Sequence, residues 1–345
     1  KGMLYIFNRN DLPTNSSFHS YHGKTVIDAS NENIDLYSLD MGDGATARVN
    51  GGDFCAETSV LGNLSDLKIG GLVELGSEAS FCSGDANKAP HVFISDGNYM
   101  TGNGQVLVNT FTIAGGLLHS VNFNLAGSFN QVGGVTIVNT ITATSFEMSS
   151  GSLTAENITT TGDFRLLGDA NITSPKSTST ETYFLNLMVG ENFKISENAK
   201  INLDEKGLMP RRAGKDNEDM MDDAVAEKFL GPGSSNSGDY GNNTYYGGSH
   251  CGQGGRGSFW STTITQNNTN VAYGNFKDPK TLGGGSQRTT GNAQGGGGLI
   301  LQANGNCSMN DNSTISVNGG FSSAGGSVNI TCHSLNGVHS GVAIS

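Results

Sequence analysis

The sequence predicts an all-β chain, a parallel β-helix or β-solenoid with one Gly-rich insertion carrying a short helix. Three observations predict it. Short apolar runs alternate with polar residues and are separated by Gly-Gly, Gly-Asn and Ser-Gly corners. Helical periodicity is almost absent. Glycine-punctuated phrases recur near the C-terminus: GGGGLILQA (295–303), ISVNGG (315–320) and SAGGSVNI (323–330), with Ile344-Ser345 reading as the start of another. A chain that stops inside a repeat reads as one segment of something longer, or as a unit that stacks head to tail.

Composition fits this fold. Among 345 residues there are 51 Gly, 37 Asn and only 6 Pro, and charged residues make up 14%, against roughly a quarter in ordinary domains. Such a chain covers itself with amides and hydroxyls, a surface common on extracellular proteins. The net charge is −12, and no Lys or Arg cluster resembles a phosphate-binding stripe, so nucleic acid is not an expected partner. No run of 18 apolar residues is present, so no membrane span is expected in this segment. The chain opens at Lys1 without a start methionine, as after removal of a signal or inside a longer polypeptide.

Residues 1–50 read as an irregular N-terminal segment or cap. The rhythm settles over 51–209, the predicted solenoid, with runs such as Gln105–Ile113, Leu117–Leu125 and Val135–Ile141. In Val121–Leu125 the apolar residues fall on alternate positions. Eleven-residue units follow, SLTAENITTTG then DFRLLGDANIT, two or three of which make a coil. Coils of about 20–27 residues rising about 4.8 Å each would extend on the order of 60–80 Å.

Residues 210–257 read as an insertion. Asp216–Leu230 places acids first, Lys228 near the end, and Met221, Val225 and Phe229 on one face, which predicts a helix matched to its dipole. Its acids lack the spacing of a calcium loop. Residues 258–345 read as the solenoid continuing, beyond the chain end as well. Gly283–Gly285 and Gly295–Gly298 have neither the Lys-Ser/Thr nor the helix entry of phosphate loops. They read as corners and close backbone approaches.

Five cysteines are present. Cys55 and Cys82 lie 27 residues apart, Cys307 and Cys332 lie 25 apart, about one coil each. Stacked coils bring such pairs within disulfide reach, so two staples in an oxidising compartment are expected, with buried free thiols as the alternative. Cys251 is left over, free or paired with another subunit. No CxxC or His-rich spacing points to a metal, and no cofactor is expected.

Sequons begin at Asn15, Asn63, Asn157, Asn171, Asn242, Asn267, Asn306, Asn312 and Asn329. This Asn, Ser and Thr content produces about that many by chance, so placement decides. Asn157 and Asn171 read as exposed corners. Asn306, followed by Cys307, is a poor acceptor.

The order GGSHCGQGG (247–255), Tyr273-Gly274, Pro279, LGGGS (282–286), GGGGLILQA, ISVNGG and SLNGVHSGVAIS (334–345) resembles glycine-rich ectodomain segments of large plant and protist cell-surface proteins. The resemblance covers about 100 residues. It implies an extracellular, β-helical region and supplies no catalytic residues.

The expected function is structural and non-enzymatic: an extracellular building block of a surface fibre, flagellar hair or matrix-like filament, partnered by copies or neighbouring segments of itself. Two alternatives stand beside it. A carbohydrate-active β-helix, lyase or hydrolase, needs paired carboxylates, for which Asp163 with Asp169, or Asp96 with Lys88 and His91, are candidates. A glycan-binding adhesin module would stack sugars on Tyr245, Tyr246 and Trp260, beside Tyr240 and Phe259; the competing role for these rings is to cover the solenoid flank.

Overall fold

The computed structural model describes backbone strands between Met3 and Leu107 and at 244–246, 256–258 and 343–344. It describes residues 110–178, 180–209, 250–251, 273–275, 277–285, 294–310, 312–320 and 323–337 in full. Among the described residues there are strands and no helix; the expected helix Asp216–Leu230 lies outside them.

The strands are parallel, paired with the strand one circuit earlier or later, and they fall into three rows. Row one runs without a break through eleven strands, from Ser17–Ser20 to Ser334–Gly337. Row two includes Ser152–Thr154, Asn171–Thr173, Lys200–Asn202, Thr314–Ser316 and Ala343–Ile344. Row three includes Asn157–Thr160, Leu185–Val189, Gly298–Ala303 and Ser327–Thr331. The chain visits row one, then two, then three, and returns. In two circuits one nine-residue strand, Leu117–Leu125 or Val135–Ala143, serves both row two and row three, which joins those rows into one 20-stranded sheet. The result is a solenoid-like stack.

Alternation explains the layering. Ser145–Met148 turns Phe146 and Met148 inward and leaves Ser145 and Glu147 toward solvent. Successive circuits repeat that phase, because a parallel register shifted by one residue would expose every apolar side chain. Phe111, Phe129, Phe146, Phe164 and Phe193 are successive register partners in row one. Each is 0–1% exposed. From Phe129 to Phe193 the rings stack at centroid spacings of 5.0, 4.5 and 5.4 Å, with planes within 18° of parallel. Full burial of such a ring contributes about 2–3 kcal/mol.

Beside this ladder the polar residue Gln131 is fully buried. Gln131 lies between Ile113 and Met148 in register. Its Nε2 donates to the carbonyls of Gly134 and Ser152 (3.1 and 3.2 Å), and its Oε1 accepts from Thr136 Oγ1 at 3.0 Å. Those three bonds offset the desolvation of the amide.

Circuit length is less uniform than the sequence suggested. Ser128 and Ser145 are register partners 17 residues apart, Asn157 and Asn186 are 29 apart. The short circuits turn through single glycines with positive φ, Gly134 (69°) and Gly151 (88°), where a Cβ would meet the preceding circuit's backbone at 2.5–2.7 Å. The 29-residue circuit carries an extended corner between Thr173 and Leu185. The chain leaves the rows after Asn202 and rejoins them at Gly298, one circuit taking 114 residues. That interruption contains an antiparallel pair, Thr244–Tyr246 with Arg256–Ser258. Eleven strands in row one at about 4.8 Å give a stack of about 50 Å. This is shorter than the 60–80 Å expected, because the long interruption adds residues without adding rise.

Candidate functional site

A ladder of side chains runs up the corner before row one. Asp163 accepts from the backbone N–H and the Nδ2 of Asn192, 3.2 and 3.1 Å away. Arg165 donates to the other carboxylate oxygen at 3.1 Å. One circuit later Asn192 Oδ1 accepts the N–H of Asn306 (3.0 Å), and Asn306 Oδ1 accepts from Ser334 Oγ (2.7 Å). Partial burial pushes the Asp163 carboxyl upward, but the hydrogen bonds from Asn192 and the bond and charge of Arg165 outweigh it, so the group is held below its ordinary value. The sequence carries a signal for this ladder. DFRL (163–166), NFKI (192–195) and NCSM (306–309) share one pattern, across steps of 29 and 114 residues.

Row two presents a different surface. Asn171 and Lys200 are register partners, and Asn202 follows two residues on. Their inward neighbours Ile172 and Ile201 are fully buried, so these polar side chains stand on a fixed backbone. With Asp169 and Asn198 at the preceding corner they line a groove of about 340 Å³. Asn198 Nδ2 donates to Asp169 Oδ1 at 3.4 Å. Asn202 Oδ1 accepts the N–H of Asp204 at 3.0 Å.

A third constellation sits where the interruption rejoins the stack. Backbone strips pack directly on one another: Gly207 N–H donates to Gly295, Gly283 to Gly296, Leu208 to Gly283 and Gly296 to Ala324. A Cβ on Gly295, Gly296 or Gly326 would lie 1.6–1.8 Å from a carbonyl oxygen, so only glycine permits this approach. His250 is half-buried against the seam. Its Nε2 lies 2.7 Å from Thr281 Oγ1 and 3.2 Å from Ser327 Oγ, and Ser327 Oγ donates to the Thr281 carbonyl at 2.5 Å. Burial lowers the imidazole's proton affinity, opposed by a hydrogen bond with the Gly325 backbone. The neighbouring Tyr273 phenol donates to the Leu282 carbonyl, and burial raises its pKa. Nε2 of His250 thus joins Thr281 to Ser327, the first residue of the strand Ser327–Thr331.

The residues singled out from sequence fall as follows. Cys307 and Cys332 form a disulfide with Cα atoms 5.9 Å apart, joining neighbouring circuits. Cys55 and Cys82 are direct register partners in adjacent strands; their side chains lie outside the described residues. Cys251 is free and exposed. Asn157 stands at a strand start in row three, its Oδ1 accepting from Asn186 at 3.0 Å. Asn171 also starts a strand, and its Oδ1 is buried with no hydrogen-bond partner. Asn329 lies within a strand and donates to Asp278 at 3.3 Å. Asn312 is exposed, at a corner with φ 56°. Asn15, Asn63, Asn242, Asn267 and Trp260 lie outside the described residues, as do Tyr240, Phe259, Lys88 and Asp96. Tyr245 and Tyr246 belong to the antiparallel pair and His91 opens a row-one strand; only their backbone is described. Asp163 and Asp169 are not brought together as an acid–base pair: each is bonded by an asparagine of the next circuit, in different rows.

Among the described residues no group of three or more His, Cys, Asp and Glu is placed to hold a metal ion. No helix there is long and apolar enough to cross a membrane. No family model, curated protein or solved structure matches the chain.

Proposed function

We propose that this chain is a parallel β-helix serving as a structural building block of an extended extracellular assembly, a surface fibre, hair or matrix filament, rather than an enzyme. The observation that carries the reading is the row-one ladder. Eleven strands follow one another in parallel register; from Phe111 to Phe193 aromatic rings line the inside, and from Asp163 to Asn306 an amide ladder runs outside. A stack of this kind is quasi-one-dimensional, each circuit stabilised by its two neighbours. It resists extension along its axis through many parallel hydrogen bonds, which suits a load-bearing rod.

The Cys307–Cys332 bridge supports an oxidising compartment, where such bonds form and persist. The Asn-, Ser- and Thr-covered outer faces support an extracellular setting. The glycine-rich order of the last third, similar to ectodomain segments of plant and protist surface proteins, points the same way. Partners under this reading are neighbouring segments or copies of the same protein.

Negative-stain microscopy of material from its native source, with mass photometry of the isolated chain, tests the reading. Filaments or rods built of this chain are the expected result. A monodisperse globular particle that cleaves a polysaccharide would replace it with the carbohydrate-active alternative.

A further inference from the structure

We propose that the row-two groove lined by Asp169, Asn171, Asn198, Lys200 and Asn202 binds an acidic saccharide, a sugar ring bearing a carboxylate. None of these residues belongs to the insertion, and the proposal goes beyond the structural reading.

The groove, of about 340 Å³, lies at the small end of ligand sites, suited to one or two sugar rings. Its chemistry is unusual for this chain. Three side-chain amides and one carboxylate surround a single ammonium. Among the described residues the ion pairs are Arg165 with Glu147 and Asp163, and Lys280 with Asp278, and Lys200 has no carboxylate partner among them. Each amide has one end taken: Oδ1 of Asn202 accepts from Asp204, Nδ2 of Asn198 donates to Asp169, and Oδ1 of Asn171 is buried; the remaining ends can meet sugar hydroxyls. Asn202 has its oxygen committed to Asp204 and so presents Nδ2 outward.

Asp169 narrows the choice. A polyanion such as a phosphate chain would meet its negative charge, whereas a hydroxyl can donate to it. One carboxylate for Lys200, with hydroxyls for Asp169 and the amides, describes a uronate-type ring. The frame is prepaid in order: Lys200 and Asn202 flank buried Ile201, and Asn171 is the register partner of Lys200, so little rearrangement is needed on binding.

Titration of the whole folded chain by NMR or calorimetry tests this, with methyl glucuronoside, a single ring with one carboxylate, and its neutral methyl ester as probes. The acid should bind. The ester, and the Lys200→Gln variant with the acid, should bind about tenfold more weakly or less, the scale of a charge-assisted hydrogen bond. Lys194→Gln, an exposed change in row one, should bind the acid as the parent does. Lys200 is exposed, so the variant should keep the parent melting curve. Three outcomes overturn the proposal: equal affinity for acid and ester, unchanged affinity in Lys200→Gln, or no binding of the acid at millimolar concentration. Equal or tighter binding of a short glutamate peptide would also overturn it, in favour of an acidic peptide.

Discussion

Cys307 is the register partner of Phe193 and occupies the rung where the next phenylalanine of the ladder would stand. The stack of rings ends at the long interruption, and the first circuit beyond it fills the same position with half of a disulfide. Cys307 is 1% exposed, and its partner Cys332 sits at the following corner, packed against the core. A covalent link replaces an aromatic contact at the point where the chain must re-enter register after 114 residues.

Removing that link should weaken the last circuits. The bridge closes a loop of 25 residues, worth about 3 kcal/mol in the chain-entropy model. Denaturant unfolding of the Cys307→Ser/Cys332→Ser variant should lose about that amount. Non-reducing peptide mapping should show the two cysteines linked; alkylation of both without reductant would contradict the structure.

The ring ladder should be the most sensitive part of the core. Phe146→Ala and Phe164→Ala each leave a cavity between stacked neighbours and should cost about 3–5 kcal/mol. Ile137→Ala, on an exposed outward position, should change stability by about 0.5 kcal/mol or less. Equal effects in chemical denaturation would rule out the ladder as the core.

Two adjacent glycines should respond in opposite ways. A Cβ on Gly326 would sit 1.6 Å from the Gly297 carbonyl oxygen, whereas one on Gly325 finds its nearest atom at 3.6 Å. Gly326→Ala should cost about 3 kcal/mol or more through forced displacement of backbone, and Gly325→Ala should be tolerated. Melting temperatures of the two variants decide it.

The acid limb of stability should report Asp163. Its carboxyl is held below the unfolded value by Asn192 and Arg165. The folded state therefore binds this proton less readily than the unfolded chain. The stabilisation is complete above the unfolded value near 3.8 and is lost as pH falls through the lower folded value. Asp163→Asn should flatten the fall in melting temperature over that range and lower stability at neutral pH. An unchanged acid limb would contradict the assignment.

Glycan occupancy should follow placement. In a eukaryotic secretory host, Asn312, exposed at its corner, should be modified more fully than Asn157, whose side chain is bonded to Asn186 across circuits. Glycopeptide mass spectrometry gives the ratio, and full occupancy at Asn157 with none at Asn312 would count against this ranking.

From the sequence alone came the strand-built class and the roughly one-coil cysteine spacing, because these depend on local quantities. Period-two alternation, glycine corners and sequence separation are readable without knowing what packs on what. Which residues meet was decided by tertiary structure. Asp163 and Asn306 join one ladder although two circuits, one of them 114 residues long, separate them. The strand Gly298–Ala303 stacks on Leu185–Val189 in a register that turns Leu299 and Leu301 onto the same buried face as Leu185 and Leu187, which a one-residue slip would reverse. Asn157 and Asn171 look like corners when read as letters, yet each opens a strand. A short polar residue serves a turn and an outward strand position equally well, and the choice depends on the circuit stacked beside it. The groove at Lys200 is likewise absent from any linear motif. Its residues come from two circuits, and only the fixed rise between parallel strands sets them side by side.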